Sequence, residues 1–538
     1  MRPVGPYVKA SVGAGLQTRP NAMTEHRHVN PWIVAIAVMF GTFMEVLDTT
    51  VVNVSLPHIA ATMSATIDEA TWVLTSYLVA NAIILPMTGW LAATFGRKRL
   101  LMMSVTGFTV SSFLCGIAPN LASLIAFRIL QGATGGALQP LSQAVLLESF
   151  EPHERGKAMG FWGLGIVVAP ILGPVVGGWL TDSYSWRWVF YINLPVGIAS
   201  IIMTKMFIFD PPYLRRETEK IDYWGIGMLV VGIGALQYVL DKGQEADWFA
   251  DRSILTLSII SGVTLVVLII HEWTTEHPII DLRVFKERSY ATGVFLMTML
   301  GFVLYGSMVL LPIMLQTLLG YPSMQAGIAM APRGMGSLIM MPIVGFLTSK
   351  VDVRKLLAIG FTVAGFTLIW LGQLSLNAGY WDIFWPQALQ GTGMALTFVP
   401  LTTATMQSIA PQRMGNATSL FNLMRNIGGS VGIAVTGTML TRQRQSVGAV
   451  LGEHVTIYDV QTQTMLAQMK AGFMARGADA VTATERAYAA LHGMLLQQAS
   501  MVSFVWLFRL LGGIFLMLLP LILIMRRPKG RVAAAAAH

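Results

Sequence analysis

Apolar residues run along this chain in long unbroken stretches, without the strict alternation of a half-buried strand. Stretches of the ~20 residues that cross a bilayer as helix can be marked at 32–56, 71–93, 100–118, 121–147, 158–180, 187–209, 222–241, 254–271, 291–315, 324–348, 355–376, 381–408, 415–440 and 500–525. The pattern predicts fourteen transmembrane helices, and hence an all-α polytopic membrane protein. An even number of spans puts both termini on one side. The connections are short except at 441–499, a long hydrophilic stretch before the last span.

Composition agrees with this class. Of 538 residues, 54% are hydrophobic and 12% charged, about half the charged share of a soluble domain. The mean hydropathy is +0.61. A single cysteine, Cys115, leaves no disulfide framework and no Cys-based metal site. The formal charge of +9 is no sign of a nucleic-acid partner, because the positive residues follow the loops. Arg97, Lys98, Arg99, Arg155, Lys157, Arg215, Arg216, Lys220, Arg283, Lys286, Arg288, Lys350, Arg354, Lys355 and Arg413 fall in one set of connections. Arg526, Arg527 and Lys529 follow the last span on the same side, whereas the short opposite loops hold Arg187, Lys242 and Arg252. The positive-inside rule then predicts cytoplasmic termini and an external 441–499 stretch. Residues 1–30 and 526–538 read as cytoplasmic tails, the first disordered and lacking the short apolar core of a signal peptide.

The chain repeats itself. Gly89-Trp-Leu-Ala-Ala-Thr-Phe-Gly-Arg-Lys-Arg-Leu-Leu101 is echoed by Gly345-Phe-Leu-Thr-Ser-Lys-Val-Asp-Val-Arg-Lys-Leu-Leu357, at an offset of 256. Ile129-Leu-Gln-Gly132 is echoed by Ala388-Leu-Gln-Gly391, and Pro152 by Pro411, at 259. Both halves keep one orientation, which predicts a parallel repeat about an axis along the membrane normal. The expected division is an N-terminal six-helix bundle over 31–209, two inserted helices over 210–280 and a C-terminal bundle over 281–525. A central cavity would lie between the bundles.

Charge inside the spans marks the candidate chemistry. Glu45 and Asp48 sit three residues apart in the first span, on one helical face. Buried carboxylates are expensive in hydrocarbon and tend to mark proton or ion pathways; the plainer alternative is that they pair within the bundle. Four cations also fall inside spans: Arg128, Arg333, Arg425 and Arg509. Arg128 in the fourth span is the natural partner of the two acids, and an acid poised between desolvation and a nearby cation can load and release a proton. In the fifth span Gly165, Ala169, Gly173 and Gly177 form a smooth stripe, where another helix can come close. Pro170 and Pro174 lie in register with it and suit a hinge or a tight seal. Phe43, Gln131, Tyr305, Arg333 and Arg425 are candidate cavity residues by burial and polarity. In 441–499, Met465, Leu466, Met469 and Phe473, then Tyr488, Leu491 and Leu495, are spaced as amphipathic helices, the second starting near Thr484-Glu485. Such helices either lie on the membrane or on each other, or dock an external partner.

Other signals are discarded. Gly428-Gly-Ser-Val-Gly432 lies in an apolar helix with no strand before it, unlike a hydrolase elbow. His271 and His277 are wrongly spaced for a helical zinc pair, and no phosphate-binding Gly-x4-Gly-Lys motif occurs. The 33 methionines suit flexible packing around varied apolar ligands.

Several motifs together resemble the major facilitator superfamily. Gly89…Gly96-Arg-Lys-Arg99 is similar to its loop motif after the second helix, and Arg128-Ile-Leu-Gln-Gly132 to its fourth-helix motif. Ala169-Pro-Ile-Leu-Gly-Pro-Val-Val-Gly-Gly178 resembles the fifth-helix motif of antiporters. Leu47-Asp-Thr-Thr-Val-Val-Asn-Val-Ser-Leu-Pro57 and Trp186-Arg-Trp-Val-Phe-Tyr-Ile-Asn-Leu-Pro195 resemble signatures of fourteen-span drug:proton antiporters of the EmrB type. The resemblance runs from about 30 to 525. It implies the major facilitator fold and efflux of hydrophobic toxicants from the bacterial inner membrane, driven by inward proton flow, with the proton as coupling ion and no other cofactor. It implies a proton-coupling role for Asp48, with Arg128 beside it, and an antiporter motif at Pro170, Gly173, Pro174, Gly177 and Gly178. A cytoplasmic gating loop is implied at Gly89, Gly96, Arg97 and Lys98. An EmrA-type periplasmic adaptor and an outer-membrane channel are the implied partners, with the 441–499 stretch facing the adaptor. Ala93 departs from the family's loop acid, which removes one gating salt bridge, and Glu45 lies outside the family pattern. A metabolite exporter or importer, or a membrane-embedded sensor, is the alternative to drug efflux.

Overall fold

The computed structural model describes residues 30–210, 221–276, 278–456 and 458–525. The tail expected ahead of Asn30, the tail at 526–538, and the loop residues Arg215, Arg216 and Lys220 lie outside the described residues, as do Arg526, Arg527, Lys529 and His277. Among the described residues the regular structure is helical throughout, with no strand.

The helices of the first half are α1 (Pro31–Thr62), α2 (Ile67–Phe95), α3 (Arg97–Ile117), α4 (Leu121–Gly135), α5 (Leu138–Ser149), α6 (Arg155–Ser183), α7 (Trp188–Tyr191) and α8 (Asn193–Phe207). Then come α9 (Tyr223–Lys242) and α10 (Arg252–Thr274). The second half holds α11 (Arg288–Thr317), α12 (Ser323–Lys350), α13 (Val353–Leu371), α14 (Tyr380–Met406), α15 (Met414–Glu453), α16 (Val460–Ala475) and α17 (Ala480–Met517). Helix starts carry side-chain caps where the sequence supplies them. Asn30 accepts from the Trp32 amide, Thr66 and Glu69 form a reciprocal capping box, and Asp251 caps α10.

Twelve spans, with α4–α5 and α7–α8 each making one broken span, are long and apolar enough to cross a membrane. Helices α14 and α15, of 27 and 40 residues, complete the fourteen. Their polar residues, among them Gln387, Gln390, Asn422 and Arg425, are buried against protein, so mean apolarity understates them. Helix α1 packs on α5, α6 and α8, while α4 packs on α2 and α3. In the second half α11 packs on α15, α14 on α12 and α13, and α17 on α13. The result is the two-bundle major facilitator fold with an inserted helix pair. That pair seats at the seam between the bundles, α9 contacting both α2 and α15. Thr75 donates to Asp241, and Lys242 Nζ donates to Thr71 Oγ1 at 2.7 Å.

The 441–499 stretch is helical where its apolar spacing predicts, over Met465–Phe473 and Tyr488–Leu495, but its helix boundaries differ. Helix α15 continues to Glu453, α16 follows, and α17 begins at Ala480, not near Thr484. The reason is local. Asp479 Oδ2 accepts from the amides of Val481 and Thr482 at 3.1 Å each. Those bonds, led by one from the Thr482 hydroxyl, hold the Asp479 carboxyl below its ordinary range. Thr484 lies a turn inside, its hydroxyl donating to the Ala480 carbonyl at 2.7 Å.

The two bundles meet closely at the end that carries the basic loops. A Cβ on Gly89 (α2) would lie 2.6 Å from Asn416 Cα at the start of α15, and one on Gly160 (α6) 2.7 Å from the Met341 carbonyl oxygen of α12. A Cβ on Gly345 would lie 2.8 Å from the Gly156 carbonyl oxygen. Trp162 stacks on Phe398 with ring centroids 6.2 Å apart. Only residues without a side chain let these backbones approach so far.

Candidate functional site

Asp48 lies midway along α1 and is fully buried. Arg128 Nη1 on α4 donates to its Oδ2 at 2.6 Å. Its Oδ1 accepts from Gln131 Nε2 at 3.0 Å and from Asn193 Nδ2, on α8, at 2.7 Å. Arg128 is held in turn: Nε donates to the Val73 carbonyl at 3.0 Å, Nη1 also reaches Gln131 Oε1 at 2.7 Å, and the guanidinium lies 4.2 Å over the Tyr77 ring. Ser112 Oγ accepts from Asn193 at 3.0 Å and donates to the Phe190 carbonyl. A charge excluded from water survives only with a counter-charge and saturated hydrogen bonds, and this shell gives Asp48 both.

One turn earlier, Glu45 faces differently. Its Oε1 accepts from Asn81 Nδ2 of α2 at 3.0 Å. Gln139 of α5 and Arg425 of α15 are close enough to act on its charge. Arg425 comes from the second bundle, and its Nη2 donates to Gln139 Oε1 at 2.6 Å. One turn away Asn422 Nδ2 donates to Gln143 Oε1 at 2.6 Å. The two acids of α1 therefore answer to different surroundings. Asp48 is enclosed by its own bundle, and Glu45 by residues of both.

The α6 stripe lies on α1 beside this cluster. Gly173 abuts Thr50, and a Cβ on Gly177 would stand 3.0 Å from the Val51 carbonyl oxygen. Gly178 has open space around it. Pro170 and Pro174 lie within an uninterrupted helix. At the loop after α2, Gly96 adopts φ +85°, a conformation that L side chains rarely take. The turn brings the Lys98 amide within 2.8 Å of Asp210 Oδ1. Arg97 pairs with Glu148 at the end of α5 and reaches across to the Pro411 carbonyl at 3.4 Å. Lys98 Nζ donates to the Lys205 carbonyl at 2.8 Å. With Ala93 in place of an acid, Glu148 and Asp210 are the carboxylates that meet this loop.

The candidate cavity residues separate. Gln131 belongs to the Asp48 shell. Phe43 packs, half-buried, on the apolar cluster around Leu47 and Val51. Tyr305 lies half-buried against Gly429 of α15, Arg425 bridges the bundles, and Arg333 is buried on α12. Sequence reasoning missed Asn193, Asn81 and Gln139 as site residues. A polar amide inside an apolar run was the available signal, and Asn193 stands in the quoted Trp186–Pro195 motif.

A sequence model of the Major Facilitator Superfamily matches residues 38–433. The chain belongs to the major facilitator superfamily. Among members of this superfamily, the Multidrug export protein EmrB of Escherichia coli (strain K12) is 37% identical over 499 residues, which are 93% of this chain and 96% of that protein. The Fatty acid resistance protein FarB of Neisseria gonorrhoeae is 42% identical over 430 residues, 79% of this chain and 84% of that one. The crystal structure of the human organic anion transporter MFSD10, at 12% identity, covers 91% of this chain and 99% of its own with a TM-score of 0.60, a likeness of fold. Membership makes the chain a multi-pass membrane transporter and not an enzyme.

Replacing Asn193 tests the Asp48 shell. Asn193→Ala removes a hydrogen bond to a charged group, worth about 1.5–3 kcal/mol. Gradient-driven transport in vesicles is expected to fall at least ~10-fold, with the protein still folded. Wild-type flux in that variant would show the amide to be dispensable.

Proposed function

We propose that this chain is a multidrug efflux antiporter of the bacterial inner membrane, exporting hydrophobic toxic compounds by alternating access in exchange for protons. The reading is supported by relatives named as multidrug export proteins. The observation that carries proton coupling is the buried Asp48–Arg128 pair, on the helix α1 against which the Gly173–Gly177 stripe of α6 packs at Thr50 and Val51. In this scheme Asp48 holds the proton, and Arg128, Gln131 and Asn193 stabilise its ionised state. Glu45, hydrogen-bonded within its own bundle by Asn81 and within reach of the Arg425 charge from the other, senses whether the bundles are apart. Substrate arriving from the cytoplasm or inner leaflet displaces the proton, and a proton from outside resets the pump.

In this reading the basic loops put the sealed end of the seam on the cytoplasmic side, with both termini cytoplasmic and the molecule facing outward. The gating loop, Gly89 to Lys98, closes that end through Glu148 and Pro411. The proposed domain division is a first bundle over 31–209, an inserted pair over 210–280 and a second bundle over 281–525. The external helices α16 and the first turns of α17 are the surface for an EmrA-type adaptor, which would pass substrate to an outer-membrane channel.

Substrate-induced proton release from purified protein tests the reading. Adding a lipophilic toxicant is expected to release protons into weakly buffered solution. Absence of release across chemically diverse compounds would refute proton exchange.

A further inference from the structure

The internal repeat has a counterpart in space. Gly132 of α4 makes room for the Tyr77 backbone carbonyl of α2, and Gly391 of α14 does the same for the Arg333 backbone carbonyl of α12. At offsets of 256 and 259 residues, Arg333 takes the place of Tyr77, Gln387 that of Arg128, and Gln390 that of Gln131. In the first half the arginine of this constellation is neutralised by Asp48 from α1. In the second half α11 packs on α15 as α1 packs on α6, yet α11 holds neither Asp nor Glu along its length.

Among the described residues, the second constellation is therefore a cation with amides and no ion-pair partner. Arg333, Gln387 and Gln390 are 9%, 1% and 2% exposed. Among the described residues, Arg333 Nη2 and Gln387 Oε1 have no hydrogen-bond partner, while Gln387 Nε2 donates to Gln390 Oε1 at 3.3 Å. A buried, uncompensated guanidinium is strongly unfavourable unless something that binds there supplies the charge. Arg333 also lies on α12 eight residues, about two turns or ~12 Å, from Met341, which touches α6 of the other bundle at the seal.

We propose that Arg333, with Gln387 and Gln390, forms an anion subsite in the second bundle that binds the carboxylate of an amphipathic acid. The planar guanidinium matches a carboxylate in two parallel hydrogen bonds, and the open Gln387 oxygen accepts from a hydroxyl or amide on the same ligand. The apolar body lies along the seam. This assignment rests on the reading of the seam as the path for exported compounds. It divides the labour between the bundles: the first carries the proton on its own acid, and the second carries the substrate's charge.

The test uses purified full-length protein in maltoside detergent and chloride-free buffer, with no gradient. Equilibrium binding of laurate, methyl laurate and tetraphenylphosphonium is measured for wild type, Arg333→Gln and Arg333→Lys. Laurate affinity is expected to fall at least ~10-fold in Arg333→Gln, to be largely kept in Arg333→Lys, and binding of the ester and the cation to be unchanged in both. Undiminished laurate binding by Arg333→Gln overturns the proposal, and so does equal weakening for all three ligands. Gradient-driven flux is scored separately: if it is missing while laurate binding depends on Arg333, the export reading falls and the subsite stands.

Discussion

Replacing Asp48 by asparagine is expected to reduce proton-driven export to the level of protein-free vesicles while leaving substrate binding in place. The amide keeps nearly the same shape and its oxygen can still accept from Arg128, while its NH2 cannot accept the bonds that Gln131 and Asn193 give the carboxylate, and it neither gains nor loses a proton. A carrier with a fixed charge state at its coupling site can bind and rock, yet no gradient can drive it, because a ligand shifts an equilibrium only by its differential affinity for two states. Substrate-induced proton release should vanish in the same variant. Truncating Arg128 to alanine gives a different failure: it strands a buried carboxylate, which costs about 3–5 kcal/mol, so that protein should unfold at lower temperature. If Asp48→Asn kept both export and proton release, the coupling scheme would have to be given up.

The second large effect is expected at Gly160. Its missing side chain lets α6 approach α12 until a Cβ would stand 2.7 Å from the Met341 carbonyl oxygen. The obstruction is backbone, so no rotamer change in a neighbour relieves it. Leucine there acts as a wedge. Overpacking of this kind costs about 1–3 kcal/mol, which moves a two-state equilibrium by ~5- to 150-fold. Gly160→Leu should therefore depopulate the form sealed at the basic-loop end. Spin labels at the neighbouring ends of α6 and α12 should move apart by several ångströms, and transport should fall with the protein intact. Unchanged label distances would mean that the close approach of these helices does not hold the seam.

How much of this could be read without coordinates depended on the type of interaction. Fourteen spans and the two-bundle fold follow from run length and from the repeated loop motifs, because a bilayer demands a minimum length of apolar helix. Glu45, Asp48 and Arg128 stand out because charge is rare in such runs. The amides around them do not, since Asn81, Gln139 and Asn193 are cheaper to bury than ions and lie on three separate helices, α2, α5 and α8, without a sequence spacing. Their convergence exists only in the packing. Gln131 shows the same difficulty from the other side: as a buried polar residue it suits a cavity wall, but tertiary contact gives it to Asp48. The start of α17 was missed for a smaller reason. Thr484-Glu485 has the composition of a helix start, but Asp479 offers two bonds to free amides a turn earlier and wins.

Helix α15 begins beside Gly89 at the sealed end, passes Arg425 at mid-depth, and continues without interruption to Glu453, 40 residues in all. At 1.5 Å per residue that is a rod of ~60 Å. A stiff rod pivoting near one end amplifies motion at the other, so a tilt of about 10° would sweep its far tip through ~10 Å. Helix α17 packs on α15 and α16 on α17, so in the proposed orientation a tilt of α15 would carry this pair like the pointer of a gauge, and anything resting on it would register which way the protein faces.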